Sequence, residues 1–66
     1  MIDKNAKIYV AGHRGLVGSA IWRDLQGKGY TNLVGRTHDE LDLMDAAAVK
    51  AFFKQERPEY VVLAAA

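Results

Sequence analysis

Three glycines, Gly12, Gly15 and Gly18, follow the apolar run Lys7-Ile8-Tyr9-Val10-Ala11 and open a stretch whose apolar residues recur every fourth position. That order, strand then glycine loop then helix, constrains the fold more than any other feature of the chain. Residues 7–11 carry no charge after Lys7 and end on glycine, the pattern of a buried parallel strand entering a tight turn. From Leu16 to about Lys28, Val17, Ile21 and Leu25 form a stripe beside Ala20, while Arg23, Asp24 and Gln26 face elsewhere. This is an amphipathic helix, with Gly27 and Gly29 marking its end.

The remaining segments extend the pattern. Residues 32–35, Asn-Leu-Val-Gly, read as a second short strand, and residues 40–43 as a third, very short one. Asp45 is placed to cap a following helix through its carboxylate, with Val49, Phe52 and Phe53 as the apolar face. The helix has to stop before Pro58, which pushes Arg57 towards extended geometry. Residues 60–64, Tyr-Val-Val-Leu-Ala, form another buried-strand signature. The order is β-α-β-(β)-α-β. Right-handed crossovers turn it into an α/β fold, the first half of a Rossmann-type doubly wound parallel sheet.

Glycine placement gives the loop its chemistry. Gly12 permits a tight turn, Gly15 lets backbone approach a pyrophosphate, and Gly18 lets helix and strand pack closely. The free N–H groups and positive dipole end of the helix then face phosphate. A Walker loop is excluded, since Gly12 is followed five residues on by Val17 and Gly15 by Ala20, where G-x-x-x-x-G-K-[ST] requires glycine and then lysine. The end of the second strand informs cofactor choice. NAD binders place Asp or Glu there for the ribose hydroxyls, whereas here the segment is Gly35-Arg36-Thr37. A guanidinium attracts a 2′-phosphate that a carboxylate would repel, and Arg14 within the loop is within reach of the same group. The expected cofactor is therefore NADP(H), the alternative for Arg36 being a solvated surface charge. Asp42 and Leu43 suit an adenine edge and face, although Asp42 alone reads equally well as a turn residue.

Composition excludes several classes. With 66 residues, roughly 60% of the unfolded chain's surface is buried on folding, a marginal core. There is no cysteine and the net charge is +1 with signs interspersed. No disulfide framework, nucleic-acid footprint or acidic-membrane footprint follows. No apolar run nears the ~20 residues that cross a bilayer, and the N-terminus lacks a secretory apolar core. The expectation is a soluble, cytoplasmic protein with no nucleic-acid or membrane partner. His13 and His38 lack metal-ligand spacing, so no metal site is expected and His13 reads as a packing or hydrogen-bonding loop residue. Trp22, off the helical stripe, reads as partly buried contact surface. Phe52 and Phe53 read as core, with no basic groove beside them for base stacking.

The segment Ala11-Gly-His-Arg-Gly-Leu-Val-Gly-Ser-Ala20 resembles the cofactor loop of the GDP-L-fucose synthase family, extended short-chain dehydrogenase/reductases. Arg36-Thr37, residues 39–45, Phe52-Phe53 and residues 61–66 continue the resemblance from about Lys7 onward, and the His-Arg pair inside the loop is its most specific part. The family reduces and epimerises GDP-4-keto-6-deoxy-D-mannose to GDP-L-fucose with NADPH, and its members are homodimers. By matching position, Gly12, His13, Arg14, Gly15, Leu16, Val17 and Gly18 are implied at the pyrophosphate, with Arg14 and Arg36 at the 2′-phosphate. Asp42 and Leu43 are implied at adenine, and Ala64 and Ala65 near the adenosine ribose. One departure is large. Such enzymes use a Tyr-x-x-x-Lys pair, the lysine lowering the tyrosine's pKa, but Tyr9, Tyr30 and Tyr60 are followed four residues on by His13, Val34 and Ala64. The expectation is an N-terminal piece of a longer enzyme, without catalytic residues or turnover of its own, whose parent acts on a nucleotide-sugar. The alternatives are a piece of another NADP-dependent nucleotide-sugar epimerase or dehydratase, and a free-standing nucleotide-binding or interaction module.

Overall fold

The computed structural model describes residues 3–64. Strand β1 (Ile8–Ala11) leads through the glycine loop into helix α1 (Leu16–Gly27), strand β2 (Leu33–Val34), helix α2 (Ala46–Glu56) and strand β3 (Tyr60–Leu63). The three strands form one parallel sheet in the order β2-β1-β3. Ile8 lies opposite both Leu33 and Tyr60, and Tyr9 opposite Val34 and Val61. Parallel neighbours need crossover connections: α1 joins β1 to its neighbour β2, and α2 joins β2 to β3 on the far side of β1. The first crossover runs from β1 to β2 and the second back across β1 to β3; right-handed crossovers running in opposite directions along the sheet put α1 and α2 on opposite faces.

The core is split by the alternation of β1. Tyr9 and Ala11 join Val34, Leu41 and Phe52 in one buried cluster, against which Ala48, Val49 and Phe53 pack. Period-two alternation sends Ile8 and Val10 to the other face, and these are the largest fully buried side chains. Tyr9 meets Phe52 with ring centroids 4.7 Å apart, and Phe53 edge-on at 5.8 Å. Phe52 and Phe53 are core residues, as the sequence indicates.

The strand order reverses between β1 and β3. Ligands of open α/β sheets bind outside the carboxyl ends of the strands at such a reversal, and the Gly12 turn, which leaves β1 with φ 83°, sits there.

Three expectations need correction. Residues 40–43 are not a strand. The Thr37 amide donates to Glu40 Oε1 at 2.8 Å, and the Glu40 amide donates back to Thr37 Oγ1 at 3.3 Å. This reciprocal Thr-x-x-Glu box stabilises a single turn, closed by the Leu41 amide on the Thr37 carbonyl at 2.8 Å, which engages the Glu40 and Leu41 amides away from β2. Arg57 is not extended but left-handed, φ 48° and ψ 56°. Its amide caps α2 on the Phe53 carbonyl at 2.9 Å, so Pro58 still ends the helix, by way of a capped turn. The closing strand is not buried: Val61 is 49% and Leu63 75% exposed, because β3 is the sheet edge and among the described residues nothing pairs beyond it. Helix α1 forms where the sequence places it; of its apolar stripe Ile21 and Leu25 are half-buried and Val17 is exposed.

Candidate dinucleotide site

Gly18 sets how closely α1 approaches the turn after β1. A Cβ there would lie 1.8 Å from the Gly12 carbonyl oxygen and 2.5 Å from its carbon, so only glycine permits this helix–loop contact. Gly15 is the N-cap in extended conformation, and its amide donates to the Gly12 carbonyl at 3.0 Å. No side chain caps α1 and no acid lies in its first turn. Helix α2 differs: Asp45 Oδ1 accepts from the Ala48 amide at 3.1 Å, as its sequence position indicates. The first amides of α1 therefore face outward without a side-chain acceptor and with the positive dipole end behind them, the condition for holding an anion. Leu16 and Val17 stand exposed on its rim.

Beside the loop lies an open groove of about 260 Å³ lined by Tyr9, Gly12, Arg36, His38, Leu41, Asp42, Leu43 and Met44. That volume suits a nucleoside better than a whole dinucleotide, since drug-sized pockets span about 300–1,000 Å³. The groove brings together Gly12, Arg36, Asp42 and Leu43 among the expected cofactor residues. His13, Arg14, Gly15, Leu16, Val17 and Gly18 lie along the loop and helix start rather than in its wall, and Arg14 is exposed. Ala64 is hydrogen-bonded to the Ala11 carbonyl at 2.9 Å, at the carboxyl end of the sheet. Ala65 lies outside the described residues.

Arg36 is held from three sides. Nη1 donates to the Gly35 carbonyl at 2.8 Å, Nη2 lies 3.5 Å from Glu56 Oε2, and the guanidinium carbon sits 5.3 Å from the Phe52 ring centroid. Asp42 spends Oδ1 on the Met44 amide at 2.9 Å, with His38 Nδ1 at 4.0 Å, which leaves Oδ2 for an outside donor. Burial pushes the Tyr9 phenol above its ordinary pKa, against a smaller opposing pull from the Arg36 guanidinium. Tyr9 is thus a neutral floor to the groove.

His13 is the loop's packing residue. Its ring lies 5.3 Å from that of Trp22, and a Cβ on Gly35 would fall 2.6 Å from its Cγ. Its Nδ1 is buried without a partner. Trp22 is half-buried contact surface, as expected. The Gly35 requirement was missed, since glycine at a strand end reads as simple punctuation. Glu56 was missed as well, because 20 residues separate it from Arg36. The Thr37-x-x-Glu40 box, in contrast, was a readable signal.

The chain's architecture and this loop have close relatives. A family model described as the NAD dependent epimerase/dehydratase family matches residues 8–66. GDP-L-fucose synthase 1 of Arabidopsis thaliana is 68% identical over all of this chain and 20% of its own length. Two solved structures from Campylobacter jejuni are each 51% identical with TM-score 0.96 over 98% of this chain. One is a GDP-D-glycero-L-gluco-heptose synthase in the presence of NADPH, of which 19% is covered, and the other a GDP-mannoheptose C4 reductase with NADP bound, of which 21% is covered. The chain spans about a fifth of the length of the curated relatives it matches. Three parallel strands around an uncapped glycine loop, and a family match running from β1 through the last residue, together make this chain a member of the NAD dependent epimerase/dehydratase family.

Proposed function

We infer that this chain is the NADP(H)-binding front of a GDP-L-fucose synthase, holding the adenosine half of the cofactor. The observation that carries the reading is the junction of loop and groove: the close approach of Gly18 to Gly12 brings the start of α1 against a residue that itself walls the cavity with Arg36, Asp42 and Leu43. The amides of Gly15, Leu16 and Val17 would face the pyrophosphate. Arg36 has N–H groups beyond those given to Gly35 and Glu56 for a 2′-phosphate, since a guanidinium carries five. Asp42 Oδ2 would accept from the adenine amino group while Leu43 covers the ring. When bound, a nicotinamide cofactor supplies or accepts hydride. The chain's own residues bind and orient the far end of that molecule, and no Tyr-x-x-x-Lys pair accompanies them. We therefore assign no turnover to this chain by itself.

The names of its curated relatives, GDP-L-fucose synthases, support GDP-L-fucose formation in the longer enzyme; a GDP-linked keto sugar as substrate, a homodimeric assembly and a cytoplasmic location belong to the same proposal through the resemblance of the glycine loop. The Campylobacter enzymes, similar over the same residues, are a synthase of one GDP-heptose and a reductase of another. They support a second reading, in which the shared front serves a different GDP-sugar. Titration with NADPH, followed residue by residue by NMR, tests the site. Shifts confined to the residue 12–18 loop, Arg36, Asp42 and Leu43 are expected, with no oxidation of NADPH when GDP-4-keto-6-deoxy-D-mannose is added. Shifts centred elsewhere, or steady oxidation, would contradict the assignment.

A further inference from the structure

Behind Arg36 lies a charge relay that the cofactor reading does not use. Glu56, at the carboxyl end of α2, divides its two oxygens between two cations. Oε1 accepts from Lys7 Nζ at 3.0 Å, and Oε2 lies 3.5 Å from Arg36 Nη2. Lys7 also donates to the Glu56 carbonyl at 3.1 Å, so this carboxylate is tied at both its backbone and its side chain to the start of β1. Its side chain is 19% exposed, against 34% for Arg36. The two contacts are unequal. The Lys7 contact is an ordinary charge-assisted hydrogen bond, whereas 3.5 Å is long beside the 2.7–2.9 Å of a strong one. Glu56 is thus committed to Lys7 and touches Arg36 from one edge. The Phe52 ring, with its centroid 5.3 Å from the guanidinium carbon, and the Gly35 carbonyl on Nη1 are the other two contacts, so Glu56 supplies the third.

We propose that Glu56 is a positioning residue for 2′-phosphate selection: anchored by Lys7, it holds the Arg36 guanidinium beside Phe52 with its unused N–H groups turned into the groove. It does not touch the ligand. An unanchored arginine would lose rotamer freedom at the moment of binding, a cost that preorganisation removes. The opposite role, a carboxylate that competes with phosphate for Arg36, is disfavoured by the long Arg36 contact and by the prior claim of Lys7.

This inference rests on the NADP(H) reading, and the test separates the two. The chain is titrated with adenosine 2′,5′-bisphosphate and with adenosine 5′-monophosphate, which differ only in the 2′-phosphate, and the ratio of dissociation constants is read. The wild-type chain is expected to prefer the bisphosphate. Glu56→Ala is expected to shrink that preference about fivefold, the scale of immobilising one long side chain on binding. Glu56→Gln, which keeps an acceptor at the same reach, is expected to restore most of it. Lys7→Met, which frees the anchor, is expected to shrink it in the same direction and serves if Glu56→Ala does not fold. A wild-type chain without preference contradicts the NADP(H) reading and removes the role of Glu56 with it. A wild-type preference that Glu56→Ala or Lys7→Met leaves unchanged or enlarges overturns the positioning role alone.

Discussion

A Cβ on Gly18 would lie 1.8 Å from the carbonyl oxygen of Gly12. Six residues apart in sequence, these two backbones meet where the helix turns back onto the strand end. No side-chain rotation relieves that overlap, because both contacting atoms of Gly12 are main chain. Gly18→Ala is expected to force α1 away from the loop and destabilise the chain by about 3 kcal/mol, with loss of NADPH binding. Denaturant midpoints at constant slope measure the first effect, and titration the second. An alanine variant of unchanged midpoint and affinity would show that the close approach is dispensable.

Gly27 offers the converse. It ends α1 and has nothing within 4 Å of its would-be Cβ. Gly27→Ala is expected to raise stability by roughly 0.5–1 kcal/mol through helix propensity alone, with unchanged cofactor affinity. A loss of stability would mean that the end of α1 requires glycine after all.

Gly35 and His13 should behave as a pair. The His13 ring occupies the place of a Gly35 Cβ, 2.6 Å from its Cγ. Gly35→Ala alone is expected to cost about 1–2 kcal/mol. With His13→Ala in the background the same change should cost little, leaving a coupling near 1 kcal/mol in a double-mutant cycle. Additive effects would place the strain elsewhere.

The residue 37–41 turn should open in acid. The Thr37 amide, first, and the Thr37 hydroxyl hold the Glu40 carboxyl below the ordinary glutamate range near 4.5. A carboxyl with a depressed native pKa contributes stability that is present above its unfolded pKa and lost as pH falls through its folded pKa. The Thr37 amide shift is therefore expected to titrate with a midpoint below 4.5, and Glu40→Gln should abolish that titration. A midpoint at or above the ordinary value would break the link between the box and the turn.

Much of this architecture is legible in the residues. The spacing of Gly12, Gly15 and Gly18 after an uncharged run marks both the turn and the open helix start, and Asp45 marks the capped one. Local physics suffices there, because each signal acts within one turn of itself. Leu41 shows where pattern alone misleads. Alternation in Glu40-Leu41-Asp42-Leu43 suggests a strand, yet the competing Thr37–Glu40 box takes the same backbone into a turn. Leu41 is buried either way, so hydrophobicity could not choose between them. Val61 and Leu63 mislead differently. Their run suits a strand covered on both faces, and burial depends on neighbours that a local reading cannot place. The partnerships of Arg36 with Glu56 and of His13 with Gly35 join residues that only the folded chain brings together.

The central claim is that the groove beside the glycine loop reads a 2′-phosphate through Arg36. The most direct measurement is calorimetric titration of the wild-type chain and of Arg36→Met with NADPH and with NADH. Methionine keeps an apolar stem over Phe52 and removes the charge. A charge-assisted contact to the 2′-phosphate predicts that the wild-type chain binds NADPH roughly tenfold or more tightly than NADH. It also predicts that Arg36→Met brings the two within about threefold of each other, less than 1 kcal/mol. Equal affinities in the wild-type chain, or a preference for NADPH that survives Arg36→Met, would contradict it.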